Sequence, residues 1–167
     1  MDFITKNAGE TQLLSGKILK ELMAQRRRVA SEASFTRGAL VLALQGELGA
    51  GKTTFIQGLA QALGIKEKIL SPTFVIMKHF KIAASDWRPS TSLGVKFKNF
   101  YHMDCYRLEG GKDLEAFNFK EILKNKNNLV VIEWAERVKD ILPEDTIWLE
   151  FEHGGEDIRK ILMTNDK

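Results

Sequence analysis

The chain has 167 residues, enough for one domain with a sizeable core. Its side chains are 44% hydrophobic and 28% charged, as in an ordinary soluble globular protein, and 25 basic against 22 acidic residues leave a net charge of +3, too balanced for nucleic-acid binding through charge alone. A single cysteine, Cys105, excludes an intrachain disulfide, while the absence of a ~20-residue apolar run and of an apolar stretch in Met1 to Lys6 makes a cytoplasmic protein the expectation.

Asp2 to Lys6 reads as a short edge strand. Asn7 is a candidate helix N-cap, with Glu10 three residues later completing a capping box. The helix should carry a stripe of Leu13, Leu14, Ile18, Leu19 and Leu22 and end near Arg28. Its basic run Arg26-Arg27-Arg28 reads as a solvated helix end, with a partner or RNA contact as the alternative. Ser31 to Gly38 is a polar connection. An uncharged apolar run, Ala39 to Leu44, predicts a buried strand. A second amphipathic helix follows, with Phe55, Ile56, Leu59, Ala60 and Leu63 on one face and Gly64 as its stop.

Ile65 to Leu70 is a link. Ser71-Pro72-Thr73-Phe74 reads as a turn, because Pro72 fixes its own φ and holds its neighbour extended. Strands are expected over Phe74 to Phe80 and Val95 to Cys105, joined by a long hairpin tip over Lys81 to Gly94. Cys105 lies in the apolar pattern and reads as a small core residue. Gly110-Gly111 breaks the chain, and Lys112 to Asn125 carries helical signals. Leu129 to Ile132 is a buried-strand pattern closed by Glu133-Trp134, and Ala135 to Asp140 is one or two helical turns. Thr146 to Glu152, Gly154-Gly155 and Ile158 to Met163 form a hairpin. No repeat or linker divides residues 1–167, so one domain is expected.

Between the central strand and its helix lies Gly46-Glu47-Leu48-Gly49-Ala50-Gly51-Lys52-Thr53, the G-x-x-x-x-G-K-[ST] spacing of a phosphate-binding loop. A polyphosphate must lie against bare backbone N–H groups, so the loop needs glycine where it wraps. Gly46, Gly49 and Gly51 provide this and tolerate positive φ. The loop ends at a helix N-terminus, which favours an anion. Lys52 is expected to bridge the β- and γ-phosphates, Thr53 to bind Mg²⁺, and Thr54 to reach the α-phosphate.

Hydrolysis also needs a held metal and an aligned water. Carboxylates at the C-terminal ends of neighbouring strands can supply both. Glu133, after Leu129-Val130-Val131-Ile132, and Asp104, after Phe100 to Met103, fit that place. The sequence does not decide which positions the water. Thr73 is a candidate sensor of the γ-phosphate, against a plain turn role. His102 reads as a structural or hydrogen-bonding histidine and Trp134 as packing. Arg107 and Arg137 read as surface salt-bridge partners rather than phosphoryl-charge stabilisers.

The phosphate loop with Thr54, then Ser71-Pro72-Thr73-Phe74, then His102-Met103-Asp104-Cys105-Tyr106-Arg107-Leu108, then Ile132-Glu133-Trp134 resembles the ordered motifs of the TsaE (YjeE) family, small bacterial ATPases of tRNA threonylcarbamoyladenosine synthesis. The likeness spans Glu10-Thr11 to Pro143. It implies an α/β fold, a P-loop NTPase-type three-layer sandwich with a mixed, mostly parallel sheet. It implies ATP and Mg²⁺ as ligands, with Gly46, Glu47, Leu48, Gly49, Ala50, Gly51, Lys52, Thr53, Thr54 and Thr73 around the nucleotide. Thr53 and Glu133 would hold the metal, Lys52, Asp104 and Glu133 would carry catalysis, and Glu10 and Thr11 would lie near the adenine. The implied partners are TsaD and TsaB, with tRNA reached through that complex and no membrane or DNA involved. The connection Lys81 to Lys98 looks longer than the family's usual hairpin.

Two other readings share the phosphate loop. A small-substrate P-loop kinase would need an acceptor pocket and usually an arginine-rich lid, whereas Lys112 to Asn128 offers only lysines. A nucleotide-gated binding module would need little turnover, against which Asp104 and Glu133 together argue. No guanine-reading N-K-x-D sequence is present, which favours ATP.

Overall fold

The computed structural model describes residues 1–30, 38–82 and 97–165. The expected connection over 31–37 and the hairpin tip over 83–96 lie outside the described residues. Among the described residues, seven strands form one mixed sheet: β1 (Asp2–Thr5), β2 (Leu40–Gly46), β3 (Met77–Lys81), β4 (Asn99–Asp104), β5 (Asn128–Glu133), β6 (Ile147–His153) and β7 (Arg159–Asn165). Their order is β1-β7-β6-β2-β5-β4-β3. The four central strands β6, β2, β5 and β4 are parallel, and the antiparallel pairings lie towards the edges. The expected edge strand at the N-terminus is in place as β1.

Both faces of the central strands are buried, which is why β2 and β5 read as unbroken apolar runs rather than alternating ones. On one face Leu40, Leu42, Leu44, Leu129 and Val131 pack against α1 (Ala8–Ala30) and α2 (Lys52–Ala62) through Ile18, Leu19, Phe55, Ile56 and Leu59. On the other, Val41, Ala43, Val130 and Ile132 pack against Leu114, Phe119, Ile122 and Val138. Those residues come from α3 (Phe119–Lys124) and the 3₁₀ segments Gly111–Phe117 and Ala135–Ile141. The result is the three-layer sandwich.

Local chemistry sets the helix ends. Asn7 Oδ1 accepts the Glu10 N–H at 2.9 Å, and Glu10 Oε2 accepts the Lys6 N–H at 2.8 Å, a capping box shifted one residue outward. At the far end of α1, Arg26 is a tether rather than a solvated charge, since Nη2 donates to Gly38 O at 2.6 Å. α2 ends as Gly64 predicted. Gly64 takes φ 80, its N–H bonds Gln61 O and the Ile65 N–H bonds Ala60 O, the two bonds of a Schellman motif.

Four expectations change. Leu13 is 70% exposed, because the inward face of α1 runs through Thr11, Ser15, Ile18, Leu19 and Leu22 and position 13 lies off it. The Ser71–Phe74 turn runs on to Ile76, which takes φ 64, with the Val75 and Ile76 N–H groups both bonding Pro72 O. β3 therefore begins at Met77 rather than Phe74. The single helix expected over Lys112 to Asn125 is split at Asn118, whose φ of 53 and ψ of 35 interrupt it; asparagine tolerates that left-handed conformation better than most residues.

Candidate active site

The β2–α2 connection brings Gly46 to Thr53 to the edge of the sheet where the parallel strands end. Gly49 and Gly51 have φ 78 and 101. Gly51 is the N-cap of α2 and supplies no side-chain cap, so the first-turn N–H groups have no partner within the helix. Gly46 is glycine for a different reason than the sequence suggested. A Cβ there would sit 2.3 Å from Phe151 O, so the residue permits close approach of β6 rather than of a phosphate.

The pleat places the acids. Leu129, Val131 and Glu133 point to the α2 face of β5, and Phe100, His102 and Asp104 to the same face of β4. Register pairs Asp104 with Glu133, so the two carboxylates stand side by side at the ends of adjacent parallel strands. Both are buried, Asp104 at 4% and Glu133 at 3% exposure.

These groups line a cleft of about 340 Å³ with Leu48 to Thr54, Ser71, Thr73, Tyr106 and Trp134. Thr53 Oγ1 lies 2.9 and 3.1 Å from the two Glu133 oxygens. His102 Nε2 lies 2.8 Å from Glu133 Oε1. Ser71 Oγ and Thr73 Oγ1 both donate to Asp104 Oδ2, the latter at 2.5 Å, and the Tyr106 N–H donates to Oδ1 at 2.9 Å.

The Lys52 ammonium is folded back onto its own loop. Nζ donates to Gly46 O at 2.5 Å and Glu47 O at 2.8 Å and sits 4.2 Å from the Trp134 ring centre. Burial lowers the Lys52 pKa, and the charges of Glu133, Glu136 and Asp104 oppose that shift in part. Burial, with the nearby Asp104 charge, pushes the Cys105 thiol up to about 12.

Of the residues singled out in the sequence, Leu48, Gly49, Ala50, Gly51, Lys52, Thr53, Thr54, Thr73, Asp104 and Glu133 converge on this cleft. Gly46 and Glu47 contribute carbonyl oxygens to Lys52. Glu10 and Thr11 do not line it. Glu10 caps α1, and the Thr11 hydroxyl is buried 2.7 Å from that of Thr5. Arg107 and Arg137 make no ion pair among the described residues. Arg107 stacks on Phe74 at 4.5 Å, and Arg137 donates to Leu108 O at 3.2 Å. The sequence reading passed over Ser71 and Tyr106 as site residues and took Trp134 as packing, whereas all three line the cleft. Ser71 could have been found from its spacing of two from Thr73, but Trp134 depends on its φ of 58, which turns the ring into the cleft.

The family model "Threonylcarbamoyl adenosine biosynthesis protein TsaE" matches residues 6–161. The chain belongs to the TsaE family. It is 33% identical over 132 residues to the tRNA threonylcarbamoyladenosine biosynthesis protein TsaE of Bacillus subtilis strain 168, covering 79% of this chain and 73% of the relative. It is 32% identical over 132 residues to TsaE of Haemophilus influenzae, covering 78% and 75%. The crystal structure of Bacillus subtilis YdiB superposes with a TM-score of 0.68 at 26% identity, covering 100% of this chain and 86% of that one. Membership makes this a chain of the threonylcarbamoyladenosine biosynthesis family with the α/β sandwich first read from its motifs. Among the described residues no helix is long and apolar enough to cross a membrane.

Proposed function

We propose that the chain binds ATP with Mg²⁺ at this cleft and hydrolyses it to cycle a TsaD–TsaB complex, which carries out the tRNA modification. The observation that carries the reading is the Thr53–Glu133 pair at 2.9 and 3.1 Å, with Thr53 immediately after Lys52 and Glu133 beside Asp104. A hydroxyl and one carboxylate, completed by phosphate oxygens, is a donor set that suits Mg²⁺. A buried carboxylate beside a helix N-terminus also fits a cation bridging to an anion. Bound there, the metal would neutralise charge on the phosphates.

The chain's own groups divide the rest of the work. The first-turn N–H groups of α2 and the glycine loop hold the phosphates. Lys52 leaves Gly46 O and Glu47 O for the β- and γ-oxygens. Thr54 reaches the α-phosphate, and Thr73 reads the γ-phosphate. Asp104, released from Ser71 and Thr73, aligns the water that attacks the γ-phosphorus as the β–γ bridging P–O bond breaks and ADP leaves. Glu10 and Thr11, at the start of α1 and outside the cleft lining, are the residues that the family resemblance puts near the adenine. Both Lys52 and Asp104 are engaged within the protein, which favours slow turnover by the chain alone and stimulation by the partners.

Lys52→Ala is expected to abolish ATP binding in equilibrium titrations. Asp104→Ala should bind ATP normally yet lose about 10²-fold or more of phosphate release. Unchanged hydrolysis in Asp104→Ala would remove that residue from the mechanism. Adding TsaD–TsaB should raise the rate, and a flat rate in the face of demonstrated complex formation would overturn the cycling role.

A further inference from the structure

His102 is fully buried on β4, and its two ring nitrogens differ sharply. Nε2 lies 2.8 Å from Glu133 Oε1. Nδ1 has no hydrogen-bond partner among the described residues. An ionised carboxylate only accepts, so the ring proton resides on Nε2 and is donated to Glu133. Burying an unpaired nitrogen is unfavourable. An apolar side chain of similar volume would fill the same space without that cost, so what the ring adds at this position is the Nε2–H bond. That bond fixes Oε1 of a carboxylate whose Oε2 is the oxygen nearer to Thr53 Oγ1.

We propose that His102 is a positioning residue: by donating Nε2–H to Glu133 Oε1 it sets the carboxylate for the cation shared with Thr53. The proposal rests on the reading of Thr53 and Glu133 as metal ligands. Groups that orient metal-binding carboxylates commonly change metal affinity by 10–100-fold when removed.

The test compares wild type, His102→Leu and His102→Gln, whose amide can donate from about the place of Nε2. Two quantities are read without turnover: ATP affinity in EDTA against ATP affinity across a Mg²⁺ titration, and Mn²⁺ binding followed by electron paramagnetic resonance with ATP present. His102→Leu should leave ATP affinity in EDTA unchanged, while the Mg²⁺ needed for half-maximal enhancement rises about tenfold or more. Mn²⁺ binding should weaken in parallel, and His102→Gln should restore most of both. A folded His102→Leu with wild-type metal dependence overturns the proposal. So does an equal loss of metal-free ATP binding in both variants, which marks a scaffold role. If His102→Leu does not fold, His102→Asn, whose amide falls short of Glu133, replaces it; equal metal dependence in His102→Asn and His102→Gln then overturns the proposal. Wild-type chain that binds ATP with no metal effect overturns the metal reading as well.

Discussion

Gly46 shows how a motif residue can serve packing first. Its φ of 132 is in glycine territory, and a methyl group would meet Phe151 O at 2.3 Å. Gly51 is also strained for other residues at φ 101, but its neighbour, Arg159 Cγ, is 3.5 Å away and flexible. Backbone strain of this kind is worth about 1–3 kcal/mol, and a collision with a backbone carbonyl adds to it. Gly46→Ala should therefore destabilise the chain by roughly 3 kcal/mol or more and Gly51→Ala by about half that, measured by urea unfolding. Equal losses would remove the packing account of Gly46. Cys105 makes a second prediction. Its thiol pKa rises in the fold from 9.0 to about 12, so the unfolded chain is the better acid. The stability this contributes is complete below pH 9 and drains away as pH rises towards 12. Wild type should lose more stability over that interval than Cys105→Ala, and iodoacetamide at pH 8 should label Cys105 only after unfolding.

At the scale of elements, the contact between α1 and α2 is set by a glycine inside a helix. A Cβ on Gly58 would lie 2.3 Å from Gln12 O and 2.4 Å from Ser15 Oγ. Helix propensity alone favours alanine at such a position by about 1 kcal/mol. The overlap with the backbone of α1 outweighs that gain, so Gly58→Ala should destabilise by about 1–2 kcal/mol in denaturant titrations. A more stable variant would show that the helices can separate freely. Elements whose signals are local were legible from sequence: the Asn7–Glu10 cap, the Gly64 stop and the apolar runs of β2 and β5. What was not legible depends on neighbours distant in sequence. Leu13 turns outward because packing on α2 and the sheet puts Ser15, Ile18, Leu19 and Leu22 on the inward face of α1. The late start of β3 is the local exception: the Pro72 carbonyl collects the N–H groups of Val75 and Ile76, a turn that the extended reading after Pro72 did not anticipate. The break at Asn118 follows from fitting two short helices over Val130 and Ile132.

For the molecule as a whole, the sheet gathers Lys52, Thr53, Asp104 and Glu133 from separate stretches of chain at one end of its parallel strands. Ligand that binds only this assembled state must stabilise the entire fold. At 100 times its dissociation constant, Mg²⁺–ATP should add about 2.7 kcal/mol, or roughly 5–10 °C in melting temperature for a chain of this size. The shift should shrink with EDTA and vanish in Lys52→Ala; a shift that survives in Lys52→Ala would place the ligand elsewhere. The convergence of these residues on one cleft was legible because loop, helix and strand ends each carry a short signal. Its internal wiring was not, since Lys52 on Trp134 arises from β2 lying beside β5, and His102 on Glu133 from the register of β4 against β5. The three hydrogen bonds that Asp104 accepts have one more consequence. Two of its restraints are hydroxyls from a single turn, so the segment leading into β3 is the bolt that holds the acid. If the cleft turns over ATP as proposed, a partner pressing on the outward-facing Phe74 would tug that bolt directly, and the onset of turnover would be timed by contact rather than by nucleotide supply.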